Sequence, residues 1–198
     1  MALQGSLRGK TLGWALSASH HTLPLILPVM RQAVAAGAEV IPIVSHTVTS
    51  TPTKHGTPED WLAGLRAITG REPLRQIPEV EPFGPDRTCD CVLIAPMTGN
   101  TMARFANAIT DSAPLMAAKA QLRNGGPVVL SITTNDALGL NARNLAALLN
   151  TRNVYFVPFG QDSPGGKPNS LVAHLDLLLP AVEAALAGRQ LQPLLQSW

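Results

Sequence analysis

Short, almost wholly apolar runs recur along this chain, and most of them hand over to small polar residues before a helical pattern begins. Residues 11–17 (TLGWALS) read as a strand, after which Leu25, Ile26, Val29, Met30, Ala33 and Val34 return at helical spacing. Gly37 is placed to end that helix, where left-handed backbone is cheap for glycine. Residues 40–44 (VIPIV) form a second strand, completing a strand, helix, strand unit. Thr57-Pro58-Glu59-Asp60 opens the next helix with a hydroxyl cap, a proline in the first turn and acids where the helix dipole favours them. Trp61, Leu62, Leu65 and Ile68 are its apolar stripe, and Gly70 closes it. Pro73, Pro78, Pro82 and Pro85 make residues 71–87 an irregular connection.

Beyond that connection the pattern predicts a strand over 91–95, helices over 100–109 and 113–122, a strand over 127–132, a helix over 142–150 and a strand over 154–158. A last helix is expected over 170–187, capped by Asn169 or Ser170, after the loop GQDSPGGKPNS. Continuous apolar strands separated by helices imply an α/β fold whose parallel sheet is covered on both faces.

Composition narrows the picture. With 198 residues, 45% hydrophobic and 14% charged, the chain can bury a sizeable core, and a single domain over 1–198 is expected. The net charge of +2 is spread thinly, so nucleic acid is not an expected partner. No window approaches the roughly 18 uninterrupted apolar residues of a membrane span, and MALQGSLRGKTLGW has no apolar leader core; a soluble, cytoplasmic protein is expected. Cys89 and Cys91 fit neither zinc nor CxxC redox spacing and read as small apolar residues. His20, His21, His46, His55 and His174 include no pair at i, i+4, so no metal site is expected.

In a parallel sheet the ligand crevice lies beyond the carboxyl ends of the strands. Four strand exits share one composition: Ser17-Ala18-Ser19-His20, Ser45-His46-Thr47, Pro96-Met97-Thr98-Gly99-Asn100-Thr101 and Thr133-Thr134-Asn135-Asp136. At any one exit these are ordinary cap and turn residues. Four together form a ring of small donors, which suits a phosphate with a flat group attached. Neither G-x-G-x-x-G after the first strand nor a P-loop occurs, so a mononucleotide such as FMN fits better than a dinucleotide. Arg104, Arg143 and Lys167 are candidate partners for a carboxylate, although single basic residues are commonly solvated surface groups.

The segment APMTGNTMARFANAITDS, residues 95–112, resembles the A-P-x-T-A-N-T-x-x-K-x-A-N-G-x-x-D-N segment of the flavin-containing cysteine decarboxylase superfamily. That resemblance implies a Rossmann-like, flavodoxin-like three-layer sandwich, assembled as trimers with FMN bound across an interface between protomers. It implies that Ser17-Ala18-Ser19 stands where the family has T-G-S, with Ser19 on the flavin phosphate and Ala18 in place of the glycine. Ser45 would lie beside the ribityl chain, while Thr98, Asn100 and Thr101 match the T-A-N-T turn with Gly99 replacing alanine. Asp111 matches the aspartate near the isoalloxazine, and Asn135 falls where the family's P-A-M-N asparagine contacts the substrate carboxylate.

Two departures bear on the chemistry. The family histidine before A-P-x-T is missing from EVEPFGPDRTCD, which counts against peptidyl-cysteine decarboxylation, and the D-N pair reads Asp111-Ser112. The longer stretches SASHHTLPLILPVMRQAVAAGAEVIPIVSHTV and NVYFVPFGQDSPGGKPNSLVA are similar to a branch of B-type subunits from spore-forming bacteria. This implies a dehydrogenase-type A subunit as partner, carrying the nicotinamide site, and oxidation of a tetrahydro- or dihydropyridine dicarboxylate to dipicolinate in the mother-cell cytoplasm. The alternatives are a scaffold without cofactor that stabilises the A subunit or holds dipicolinate, and an independent flavin enzyme acting on a small carboxylate. The tail LQPLLQSW, with Leu194, Leu195 and Trp198, either docks on a neighbouring protomer or packs on its own domain.

Overall fold

Strand β1 (Thr11–Leu16) is joined through helix α1 (Leu23–Ala35) to β2 (Glu39–Val44). The computed structural model describes residues 7–19 and 21–197; His20 and Trp198, named above, lie outside the described residues. Short α2 (His46–Ser50) and α3 (Pro58–Thr69) follow, then two single-turn helices, α4 (Ile77–Val80) and α5 (Phe83–Asp86), inside the proline-rich connection expected to be irregular. The chain continues through β3 (Cys91–Met97), α6 (Gly99–Ala106), α7 (Ala113–Arg123), β4 (Val128–Thr134), α8 (Ala142–Leu149) and β5 (Val154–Phe156). It ends with β6 (Phe159–Gly160), β7 (Leu171–Ala173), a 3-10 turn at Leu175–Leu177 and α9 (Leu178–Leu186).

The sheet runs β2-β1-β3-β4-β7-β6, with β5 also paired to β4. Strands β1 to β5 are parallel, as their unbroken apolar runs require, and every residue of β3 is buried. Trp14, fully buried in β1, donates from Nε1 to the Ala95 carbonyl at 3.0 Å, beside the register shift between β3 and β4. Helices α1 and α9 pack together on one side of the sheet, and α7 packs on the other with α4 and α5 against it.

Local signals hold well. Thr57 accepts from the Asp60 N–H at 3.2 Å while the Asp60 carboxylate accepts from the Thr57 N–H at 2.8 Å, and Gly70 closes α3 at φ 66°. Gly37 follows α1 at φ 90°. The buried stripe of α1 is Leu23, Ile26, Met30 and Ala33, while Leu25, expected on that stripe, is 58% exposed.

The expected helix over 170–187 is corrected. Its first residues form β7, which pairs antiparallel with Thr133 and Thr134 of β4 and with β6, and the helix starts only at Leu178. Strand β5 covers β4 only as far as Leu130, so the upper edge of β4 offers unpaired backbone groups that Leu171–Ala173 satisfies. Ser170 is therefore a buried residue at a strand entrance instead of a helix cap. The tail lies along β6: the Phe159 N–H donates to the Leu194 carbonyl at 3.0 Å, and the Gln196 N–H donates to the Phe159 carbonyl at 3.0 Å. It packs on its own chain, although Leu195 is 71% exposed.

Candidate functional site

Because β1, β2, β3 and β4 are parallel, their small-residue exits meet at one end of the sheet. Two adjoining clefts open there. The smaller, about 400 Å³, brings together Ser17, Ser45, Thr98, Asn100, Thr101 and Asp111. The larger, about 570 Å³, brings together Ser19, Asn135 and Lys167, with Thr98 and Asn100 forming the wall shared by both. Each volume falls within the roughly 300–1,000 Å³ of small-molecule and cofactor sites.

Thr98 sets the geometry of that wall. Its extended backbone stops β3, its hydroxyl accepts from the Thr101 N–H at 3.4 Å, and its carbonyl accepts from the Met102 N–H at 2.9 Å, so α6 starts at Gly99. The first N–H groups of a helix have no partner within it. Those of Gly99 and Asn100 have no acceptor among the described residues, and they carry the positive end of the α6 dipole. Asn100 lines both clefts and Gly99 the larger one, so an anion or a polar oxygen bound there would lie at this end of the helix.

The two serines of the smaller cleft differ. The Ser17 hydroxyl donates to the Pro96 carbonyl at 2.9 Å and accepts from the Thr98 N–H at 2.9 Å, so it ties the exit of β1 to that of β3. The Ser45 N–H is bonded to Leu16, yet its Oγ is buried without a hydrogen-bond partner among the described residues. Buried polar atoms are nearly always paired, so an orphan at the edge of a cleft stands out. Thr133 Oγ1 is a second orphan, on the wall of the larger cleft. Ser19 shares a 2.9 Å hydrogen bond with Thr22 at the start of α1.

Charges are largely paired. Arg104 Nε lies 3.3 Å from the Asp111 carboxylate, both half-exposed, so these two candidates hold each other at the rim of the smaller cleft. Lys167 lies 3.3 Å from Asp162 in the larger cleft. Burial pushes the Asp162 carboxyl up, but the neighbouring Ser170 hydroxyl and the Lys167 ammonium, which donates to it at 3.3 Å, outweigh it and hold the pKa below its ordinary value. Arg143 lies in neither cleft; it donates to the Leu140 carbonyl at 3.4 Å beside a separate groove.

Sequence reasoning placed Asp136 in the fourth strand exit without a part of its own and did not single out Asp162; both line the larger cleft. Asp136 accepts from Thr134 at 2.5 Å and from Asn141 at 2.7 Å. The T-T-N-D string at the β4 exit was the available signal for it. Cys89 and Cys91 are buried free thiols; burial, with the Asp90 charge adding to it, pushes Cys89 up to about 12 and Cys91 upward as well, so neither is a reactive thiolate.

A family model described as Flavoprotein matches residues 1–172. The dipicolinate synthase B subunit of Bacillus subtilis (strain 168) is 50% identical over 190 residues, covering 96% of this chain and 95% of that protein. The crystal structure of the dipicolinate synthase B subunit from Bacillus halodurans C, 51% identical, superposes with a TM-score of 0.89 over 96% of this chain and 98% of its own. The FMN-dependent cysteine decarboxylase SpaF, at 16% identity and TM-score 0.67, covers 91% of this chain and 97% of its own and shares the fold. Among the described residues no helix is long and apolar enough to cross a membrane.

Proposed function

The chain belongs to the flavoprotein family, and from that premise we propose that it binds FMN at the exits of β1, β2 and β3 and serves as the B subunit of a dipicolinate synthase. With a dehydrogenase-type A subunit it would take part in oxidising a tetrahydro- or dihydrodipicolinate to dipicolinate. The observation that carries the reading is the buried, unpartnered Ser45 hydroxyl in a cleft that also holds Asn100, whose N–H is unclaimed at the start of α6.

These residues fit the cofactor. Ser45 and Thr101 supply hydroxyls for the polyol chain, Ser19 and the α6 N-terminus supply donors for the phosphate, and Asn100 stands on the wall where the two clefts meet. Asp111, paired with Arg104, closes the far rim. Flavin bound there would supply a two-electron acceptor for the ring undergoing aromatisation. Asn135 and Lys167 in the larger cleft would orient a substrate carboxylate, with Lys167 exchanging Asp162 for the ligand. Both clefts are open to one side, and a homo-oligomer, in the trimeric arrangement of the wider superfamily, would cover them.

The larger cleft also favours a second reading. Asn135, Lys167 and the orphan Thr133 hydroxyl could hold dipicolinate without any flavin, making the chain a product-binding scaffold for the A subunit. Assays of the A subunit, this chain and their mixture, with and without FMN, separate these possibilities. FMN-dependent stimulation of the mixture is expected. Equal synthase activity from the A subunit alone would overturn the role, and stimulation indifferent to FMN would favour the scaffold.

A further inference from the structure

Gly99 is the first residue of α6, and its backbone is not in the left-handed region that demands glycine. Space is the reason for it. A Cβ at this position would lie 2.5 Å from Thr134 Oγ1, 2.8 Å from Asp136 Oδ1 and 3.0 Å from Asn141 Nδ2. None of these atoms is a free side-chain end. Asp136 accepts from Thr134 on one oxygen and from Asn141 on the other, Asn141 accepts from Asn144 at 2.8 Å, and Asn144 accepts from Asn107 at 3.2 Å. Asn107 is the C-terminal cap of α6, so this polar chain starts at one end of the helix and finishes at the other. The backbone of Asp136 is also fixed, since its carbonyl accepts from Gly139 at 2.9 Å and from Asn141 at 3.3 Å.

We propose that Asp136 is a positioning residue for the ligand: its carboxylate fills the space behind Gly99, seats the first turn of α6, and so fixes where the N–H groups of Gly99 and Asn100 point. Glycine at 99 and aspartate at 136 are then one unit, and a methyl group at 99 must displace the Thr134 hydroxyl, its nearest neighbour, together with the carboxylate that holds that hydroxyl in place. A carboxylate at this end of α6 also suits the helix dipole, which favours the arrangement over an empty pocket behind the turn. The inference rests on the FMN reading only for its ligand readout, since the steric coupling exists without a ligand.

The test is a double-mutant cycle on the full chain with Gly99→Ala, Asp136→Ala and the double variant, read as FMN affinity by flavin fluorescence and as melting temperature without FMN. Gly99→Ala is expected to weaken FMN binding by about tenfold or more, and Asp136→Ala by about threefold. The double variant should bind no more weakly than Asp136→Ala, because removing the carboxylate makes room for the methyl and frees Thr134 to rotate. At saturating FMN the visible band of the bound flavin should shift in Gly99→Ala and return toward the Asp136→Ala position in the double variant. Losses that multiply would overturn the proposal, as would a Gly99→Ala protein that melts lower while binding flavin with wild-type affinity and band shape. Should the wild-type chain bind no FMN, the function proposed above falls, and the melting cycle still decides the coupling: rescue supports it and additivity refutes it.

Discussion

The exits of β1 and β2 both begin with a serine, both lie on the smaller cleft, and they do opposite things with their hydroxyls. Ser17 spends its donor on Pro96 and one acceptor site on Thr98, whereas Ser45 Oγ is enclosed and bonded to nothing described. Residue type and position alone do not separate the two. The accounting of hydrogen bonds does: one serine holds strands together, and the other, under the proposed function, keeps its hydroxyl for a ligand.

Substitutions can break that contrast. The largest effect on stability is expected from Ser17→Ala, which leaves the Thr98 N–H without its partner and the Pro96 carbonyl with only the Ser17 N–H, and should cost about 1–3 kcal/mol, read by denaturant unfolding. Ser45→Ala should leave stability within about 0.5 kcal/mol, because the orphan hydroxyl contributes no bond to the fold, while FMN affinity falls by about tenfold. A Ser45→Ala protein that loses as much stability as Ser17→Ala would erase the distinction.

Across the shared wall, Lys167→Ala should weaken dipicolinate binding by about threefold in an isothermal titration, a modest effect because the ammonium is half-exposed and already paired. Arg143→Ala should leave it unchanged, since that side chain lines neither cleft.

The smallest effect concerns pH, far from the clefts. Hydrogen bonds from the Thr57 backbone and then from its hydroxyl hold the exposed Asp60 carboxyl below its ordinary pKa. Its contribution to stability is therefore complete above the ordinary carboxylate value of about 3.9 and is lost as pH falls through the lower folded value. Asp60→Asn should flatten the acid limb of the stability profile, measured by thermal melting, by lowering the melting temperature slightly near neutrality and leaving it unchanged in strong acid, where the wild-type carboxyl is already protonated.

What could be read in the sequence was what neighbouring residues decide. The cap at Thr57 and Asp60 closes over three residues, and the doubly buried strands announce themselves as apolar runs. Strand β7 was illegible because Leu171–Ala173 is as apolar as the helix after it, and the β4 edge that makes it a strand lies well upstream in sequence. Within the site the same division holds. The ring of exits and the residues around each cleft follow from parallel strands, but the pairing of Arg104 with Asp111 and of Lys167 with Asp162 follows from loop packing that no spacing encodes. Gly99 is the sharpest case: the atoms that forbid a side chain there come from the next strand exit, so the sequence showed the glycine without its reason.

The contrast between the two serines comes to one equilibrium measurement: FMN titration of the wild-type chain, Ser45→Ala and Ser17→Ala, followed by flavin fluorescence under identical conditions. Saturable binding to the wild type, weakened about tenfold in Ser45→Ala, with Ser17→Ala losing affinity only in step with its fraction unfolded, is the result the account predicts. Wild-type affinity in Ser45→Ala, or no saturable binding to the wild type at all, would contradict it.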